Sequence, residues 1–162
     1  MKIAFVKPFW LTLLCSVLVI SAFAAGGGVD LSSRQAVYLT GNKSVIDLRR
    51  DKYVASGARL YVKKSEAVSC KDNQCTFNLG IVAFRSDGSG TLKTYGQFTG
   101  KTIGSVGNTI FFSDGEKTRQ QVLPVPLIVG VNPITFTIDP NKEVVETDET
   151  NNSFTVTIIV EP

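Results

Sequence analysis

Period-2 alternation near the carboxyl end constrains this chain more than any other feature. Ile134-Thr135-Phe136-Thr137-Ile138 and Phe154-Thr155-Val156-Thr157-Ile158-Ile159-Val160 set apolar side chains against threonine at every second position. That spacing suits a pleated strand with one buried face, and it fits no helical face. Between the two runs lies one long acidic connection, opened by Asp139-Pro140 and closed by Asn151-Asn152, residue pairs that end strands.

The rest of the chain repeats the theme in shorter pieces. Ala36 to Thr40, Val45 to Leu48, Arg59 to Val68, Thr76 to Phe84, Leu92 to Phe98, Thr109 to Phe112 and Arg119 to Val125 are rich in strand formers. Turn signals at Ser56-Gly57, Asp87-Gly88-Ser89-Gly90, Thr99-Gly100, Gly104 to Asn108 and Asp114-Gly115 separate them. About seven to nine short strands without helical periodicity predict an all-β sandwich. Its core is expected from Leu60, Val62, Phe77, Leu79, Ile81 and Ala83, joined by Ile134, Phe136, Ile138, Phe154, Val156, Ile158 and Val160. Pro124 and Pro126 cannot donate ladder hydrogen bonds, so their run is expected at a sheet edge or where a strand changes sheets.

The amino end points to export. Lys2 and Lys7 precede an apolar run from Pro8 that finishes in Ser21-Ala22-Phe23-Ala24, with small residues where a signal peptidase reads. Residues 1–24 are read as a cleaved signal peptide, residues 25–35 as a flexible lead through Gly26-Gly27-Gly28, and residues 36–162 as the domain. A retained anchor is the competing reading. A lipoprotein through Cys15 is another, against which Leu13-Leu14 makes a poor lipobox. Cleavage leaves no transmembrane segment and a secreted or periplasmic product. It removes Lys2, Lys7, Trp10 and Cys15, so 15 basic residues face 14 acids, a net of +1 that offers no field to steer nucleic acid. Cys70 and Cys75 then remain, separated by the polar Lys71-Asp72-Asn73-Gln74, and an exported setting favours a disulfide at the tip of a hairpin. A redox pair is the alternative, but such pairs normally stand two residues apart at a helix start.

Composition narrows the chemistry. The chain has no histidine, which excludes Ser-His-Asp and Cys-His nucleophiles and the usual zinc ligand. Glu143, Glu146, Asp148 and Glu149 are candidates for paired-carboxylate hydrolysis, yet they crowd one loop without a tryptophan to hold a sugar. Gly104-Ser105-Val106-Gly107 lacks the lysine and helix of a phosphate loop. No enzyme is predicted, and the one candidate cofactor is calcium. Residues 139–162 carry six acids against Lys142, and Asp139, Glu146, Asp148 and Glu149 are the candidate oxygen ligands. The spacing departs from an EF-hand, with Val144 at the glycine position and Thr150 at the final glutamate position. The structural alternative has Asp139, Asn151 and Asn152 bonding nearby backbone, with Val144 and Val145 as an apolar plug. Elsewhere Arg49-Arg50, Lys52 and Lys63-Lys64 could meet anionic polymers or guard strand edges. Tyr38, Tyr53, Tyr61 and Tyr95 could make a small sugar platform.

From Val125 to Val160 the chain resembles the bacterial cell-adhesion-related domain, CARDB. Leu127-Ile128-Val129-Gly130, Asp139-Pro140, Glu146, Glu149 and Asn151-Asn152 carry the resemblance. It implies an immunoglobulin-like sandwich and a role as a non-enzymatic binding or assembly module of the cell envelope or surface, with a protein or glycan partner. A calcium-stabilised structural domain is the alternative. Intact mass of the exported protein is expected to begin at Ala25 and to lie two hydrogens below the reduced form; a species retaining Trp10, or free thiols at Cys70 and Cys75, would refute this.

Overall fold

The computed structural model describes residues 28–162, so the expected signal segment and residues 25–27 lie outside the described part. Eleven strands follow in chain order: β1 Leu31–Ser33, β2 Ala36–Leu39, β3 Lys52–Ala55, β4 Arg59–Lys63, β5 Ser69–Lys71, β6 Gln74–Arg85, β7 Leu92–Gly100, β8 Gly104–Phe112, β9 Thr118–Ile128, β10 Gly130–Ile138 and β11 Ser153–Glu161. They form two sheets. In the first, β6 pairs with β9 along one side and with β1, β2 and β5 along the other, and β3 continues from β2. The second runs β4-β11-β10-β7-β8, with β4 parallel to β11. Two mostly antiparallel sheets around one shared core make the β-sandwich that the alternation predicts, immunoglobulin-like as the resemblance implies. Among the described residues no helix is long and apolar enough to cross a membrane.

The inward faces follow the pleat. Phe77, Leu79, Ile81 and Ala83 of β6 are buried with Ile134, Phe136, Ile138, Phe154, Val156, Ile158 and Val160 in one cluster, together with Val62. Leu60 only packs against its margin. Phe136 touches Phe98 edge-on at 5.2 Å between ring centres and Phe154 at 5.7 Å, geometry that adds to the burial of the rings. Pro124 and Pro126 lie on β9, which pairs only with β6. Their partners Asn78 and Thr76 turn their carbonyls the other way, toward Thr40 N–H and Val68 N–H, so neither proline faces a position that needs a donor.

Four sequence expectations are corrected. The strand count exceeds nine because Arg59 to Val68 is interrupted by a 3-10 turn at Lys64–Glu66 and because β1 forms inside the stretch read as a lead. Val45 to Leu48 is no strand; the edge strand is β3, six residues beyond Ile46. Ile46 instead plugs the outer face of the first sheet with Ala36, Tyr38 and Val82. Gly80 makes room for it, since a Cβ there would stand 2.6 Å from the Ile46 side chain. Gly104 to Asn108, read as a turn, forms the first half of β8, because ladder bonding to β7 needs backbone and no side chain. Cys70 and Cys75 face each other across β5 and β6 and are bridged, and closing so short a loop stabilises by roughly 2 kcal/mol on the chain-entropy model.

Two buried polar residues lock the ends of the sandwich. The Asn132 amide lies fully inside the β9–β10 connection, donating to the carbonyls of Ile128 and Gly130 and accepting from Ile128 N–H. Arg85, 3% exposed, donates to the carbonyls of Glu116 and Gly90 at 2.8 and 2.7 Å and lies over the Phe112 ring. A buried guanidinium is tolerated where its donors are used, and here it ties two loops together.

Candidate functional site

The acidic connection between β10 and β11 is built from the side chains that open and close it. Asp139 follows Ile138 directly and adopts a left-handed backbone, φ 50°, which aspartate tolerates better than most residues. Its carboxylate is buried and accepts the N–H groups of Glu143 and Val144 at 3.1 and 2.8 Å. That folds the loop over so that Val144 reaches the core, whereas Val145 stands 89% exposed and is no part of the plug. Glu146 then reaches across to β1 of the first sheet. One of its oxygens accepts Leu31 N–H at 2.6 Å and the other accepts Asn152 Nδ2 at 2.9 Å. Asn151 Nδ2 reaches the Asp30 carboxylate at 3.1 and 3.2 Å, and Thr147 N–H donates to the Val29 carbonyl. The loop is therefore a clasp that pins the segment leading into β1.

Each candidate ligand has its own structural employment. Asp148 accepts both the hydroxyl and the N–H of Thr150, which hold its carboxyl below the ordinary range. Glu149 lies 3.8 Å from Lys142. The described residues contain no group of three or more acids, cysteines or histidines placed to hold a metal, so Asp139, Glu146, Asp148 and Glu149 are not gathered into a ligand set. Burial pushes the Glu146 carboxyl above the ordinary value of 4.5, opposed by its two hydrogen bonds and reinforced by Glu149 and Asp139. The side-chain oxygens of Asn151 and Asn152 are buried without a donor.

The four tyrosines do not share a platform. Tyr61 lies on β4 and Tyr95 on β7 of the second sheet, and Tyr95 lines a separate cavity of about 340 Å³ with Asn141 and Glu143. Tyr38 and Tyr53 do meet, at 5.7 Å between ring centres. Tyr38 is buried among Ile46 and Val82, while Tyr53 is 60% exposed. With Arg34 and the partly exposed Leu48 they line a groove of about 280 Å³ on the outer face of the first sheet. The basic residues nearby are partly neutralised. Lys43 pairs with Asp51, and Lys52 Nζ lies 2.6 Å from Glu66, whose carboxyl it holds below the ordinary range.

Asp30, Arg34 and Leu31 carry these contacts and were invisible in the sequence, where they sit more than a hundred residues from the loop or inside an apparent lead. No family model matches the chain, and no curated protein matches it. Similar solved structures include the CARDB domain of the PF1109 protein from Pyrococcus furiosus in complex with di-metal ions, 16% identical with a TM-score of 0.48 over 83% of this chain and 96% of that one. The solution NMR structure of the same domain is 14% identical with a TM-score of 0.49, over 83% and 97%. The apo-form Calx CBD1 domain is 10% identical with a TM-score of 0.48, over 83% and 99%.

The raised pKa of Glu146 sets a sign. The folded state holds this proton more tightly than the unfolded chain does, so the associated stability is present in full below pH 4.5 and is lost as pH rises through the elevated folded value. Carboxyls with lowered pKa, such as Glu66 and Asp148, slope the other way in any variant. Chemical denaturation across pH should therefore find wild type losing stability relative to Glu146→Gln as pH climbs toward neutrality. A pH-independent difference would contradict the assignment.

Proposed function

We propose that this chain works as an exported, non-enzymatic binding or assembly module of the bacterial cell envelope or surface, with a protein or glycan as its partner. The observation that carries this reading is the groove beside Tyr53. A buried tyrosine supports an exposed one there, and Arg34 supplies charged donors at the rim. Aromatic rings with a polar tip give large contact area at small entropic cost, and a ring already held in place by packing loses little freedom on binding. At about 280 Å³ the groove is at the small end of ligand sites. It suits a sugar ring or a few protein side chains lying across a surface. The signal segment and the Cys70–Cys75 bridge support the exported setting. On this reading Tyr53→Ala lowers retention on isolated cell-envelope glycans or on envelope protein at least about tenfold, the loss expected of a central aromatic contact. Its thermal melt should stay near that of wild type, because the ring is exposed. Equal retention by both proteins would remove the groove from the function.

A second reading, a calcium-stabilised domain, is favoured by the unpartnered oxygens of Asn151 and Asn152 beside the carboxylates of Asp30 and Glu146. Carboxylate and amide oxygens suit a hard cation. Calcium would then raise the melting temperature by mass action, and Glu146→Gln would abolish the increment. The hydrogen bonds already made by Asp139, Glu146 and Asp148 favour a clasp that works without the ion, with melts equal in calcium and in chelator. A saturable calorimetric titration lost in Glu146→Gln would decide for calcium.

A further inference from the structure

Six strands of the sandwich pair with a single neighbour, and five of them are guarded; β1 and β5 are only three residues long. β3 is four residues long and carries Lys52; β4 carries Arg59 and Lys63; β9 carries Pro124 and Pro126. Charge, proline and brevity are the usual means of preventing a sheet edge from recruiting another strand. β8 has none of them. Gly104-Ser105-Val106-Gly107-Asn108-Thr109-Ile110-Phe111-Phe112 is nine residues long, with no charge and no proline, and it pairs only with β7.

The direction of its free backbone groups follows from β7. Tyr95 turns its carbonyl toward β10, where it accepts Asp139 N–H. Its partner Thr109 therefore stands in a pair that is not hydrogen-bonded to β7. Ser105, Gly107, Thr109 and Phe111 accordingly point their N–H and C=O groups out of the sheet. The Thr109 N–H is held in the meantime by the Asn108 side chain, at 2.8 Å. Ile110 and Phe112 are buried, while Phe111 is 46% exposed on the opposite face.

We infer that β8 is a docking edge for β8 of a second copy of this chain, joined antiparallel about a two-fold axis at Asn108. That register is the one in which all nine residues of each strand find a partner. It sets Ser105 opposite Phe111 and Gly107 opposite Thr109, which brings the outward backbone groups into hydrogen-bonded pairs and places the large exposed ring against the smallest side chains. A copy of this strand brings no charge against itself, whereas a copy of β3 or β4 would set lysine or arginine near its own kind. The pairing is isologous, so it uses up the free edge on both partners. With the remaining edges guarded, association stops at two.

The test uses the full exported protein. Sedimentation over a dilution series is expected to show a monomer–dimer equilibrium, and Thr109→Lys is expected to leave only monomer, since the two lysines would lie diagonally across the axis. Asn108→Cys reports the register. The two Asn108 positions face each other in a pair that is not hydrogen-bonded, where Cα atoms stand about 4.5 Å apart, within reach of a disulfide. Air oxidation should convert Asn108→Cys to a covalent dimer well ahead of Val145→Cys, an exposed control far along the chain. A wild-type protein that stays monomeric throughout, or equal cross-linking of the two cysteine variants, would overturn the inference.

Discussion

Everything in this structure depends on the inward row of Phe98, Phe136 and Phe154 staying opposite the inward face of β6. The three rings lie on adjacent strands at matched register, Phe136 facing Phe98 on one side and Phe154 on the other. Phe77, Leu79 and Ile81 close the core from the other sheet. Burying each such side chain contributes roughly 1.5 to 3 kcal/mol before entropy is counted. A strand has a period of two, so a slip of one residue in β10 would turn Phe136, Ile134 and Ile138 to solvent together. Register is therefore the quantity that the polar parts of the molecule must protect.

They do so at the strand ends. Asp139 stands at the first position beyond β10, and its carboxylate spends both oxygens on loop N–H groups. Asn132 performs the same service where β9 passes into β10, and Arg85 where β6 leaves the first sheet. A buried polar group left without a partner costs about 1 to 3 kcal/mol, so a slipped register would be penalised at these caps as well as in the core. The acidic loop extends the device to the other sheet, because Glu146 holds the Leu31 backbone N–H and Asn151 the Asp30 carboxylate at the start of β1. Its charge serves geometry first.

The outer surfaces divide the labour differently. Ile46 and Tyr38 cover one face of the first sheet and leave Tyr53 lining a groove with Arg34. On the opposite sheet β8 ends the pleat with an uncharged edge. A sandwich of this size can thus carry a small surface groove and a separate strand edge without either disturbing the aromatic row between them.

Much of this was legible in the residues. Alternation in Ile134 to Ile138 and Phe154 to Val160 specifies strands and their buried faces, since side-chain direction in a strand is local. Asp139-Pro140 and Asn151-Asn152 mark the loop for the same reason, and two cysteines framing a polar turn mark a bridge. Val45 to Leu48 misled because an apolar plug and a short strand share a composition, and Gly104 to Gly107 misled because glycine signals turns and close backbone approach alike. The partners of Glu146, Asn151 and Tyr53 lay beyond any reading of spacing. Asp30 is 121 residues from Asn151, and contacts at that separation exist only once both sheets have closed. The sequence by itself determined the long alternating strands and which faces they bury; the tertiary structure decided where the short edge strands form, which loop clasps the amino end, which tyrosines meet and which edge stays open, because those depend on the order in which strands lie side by side.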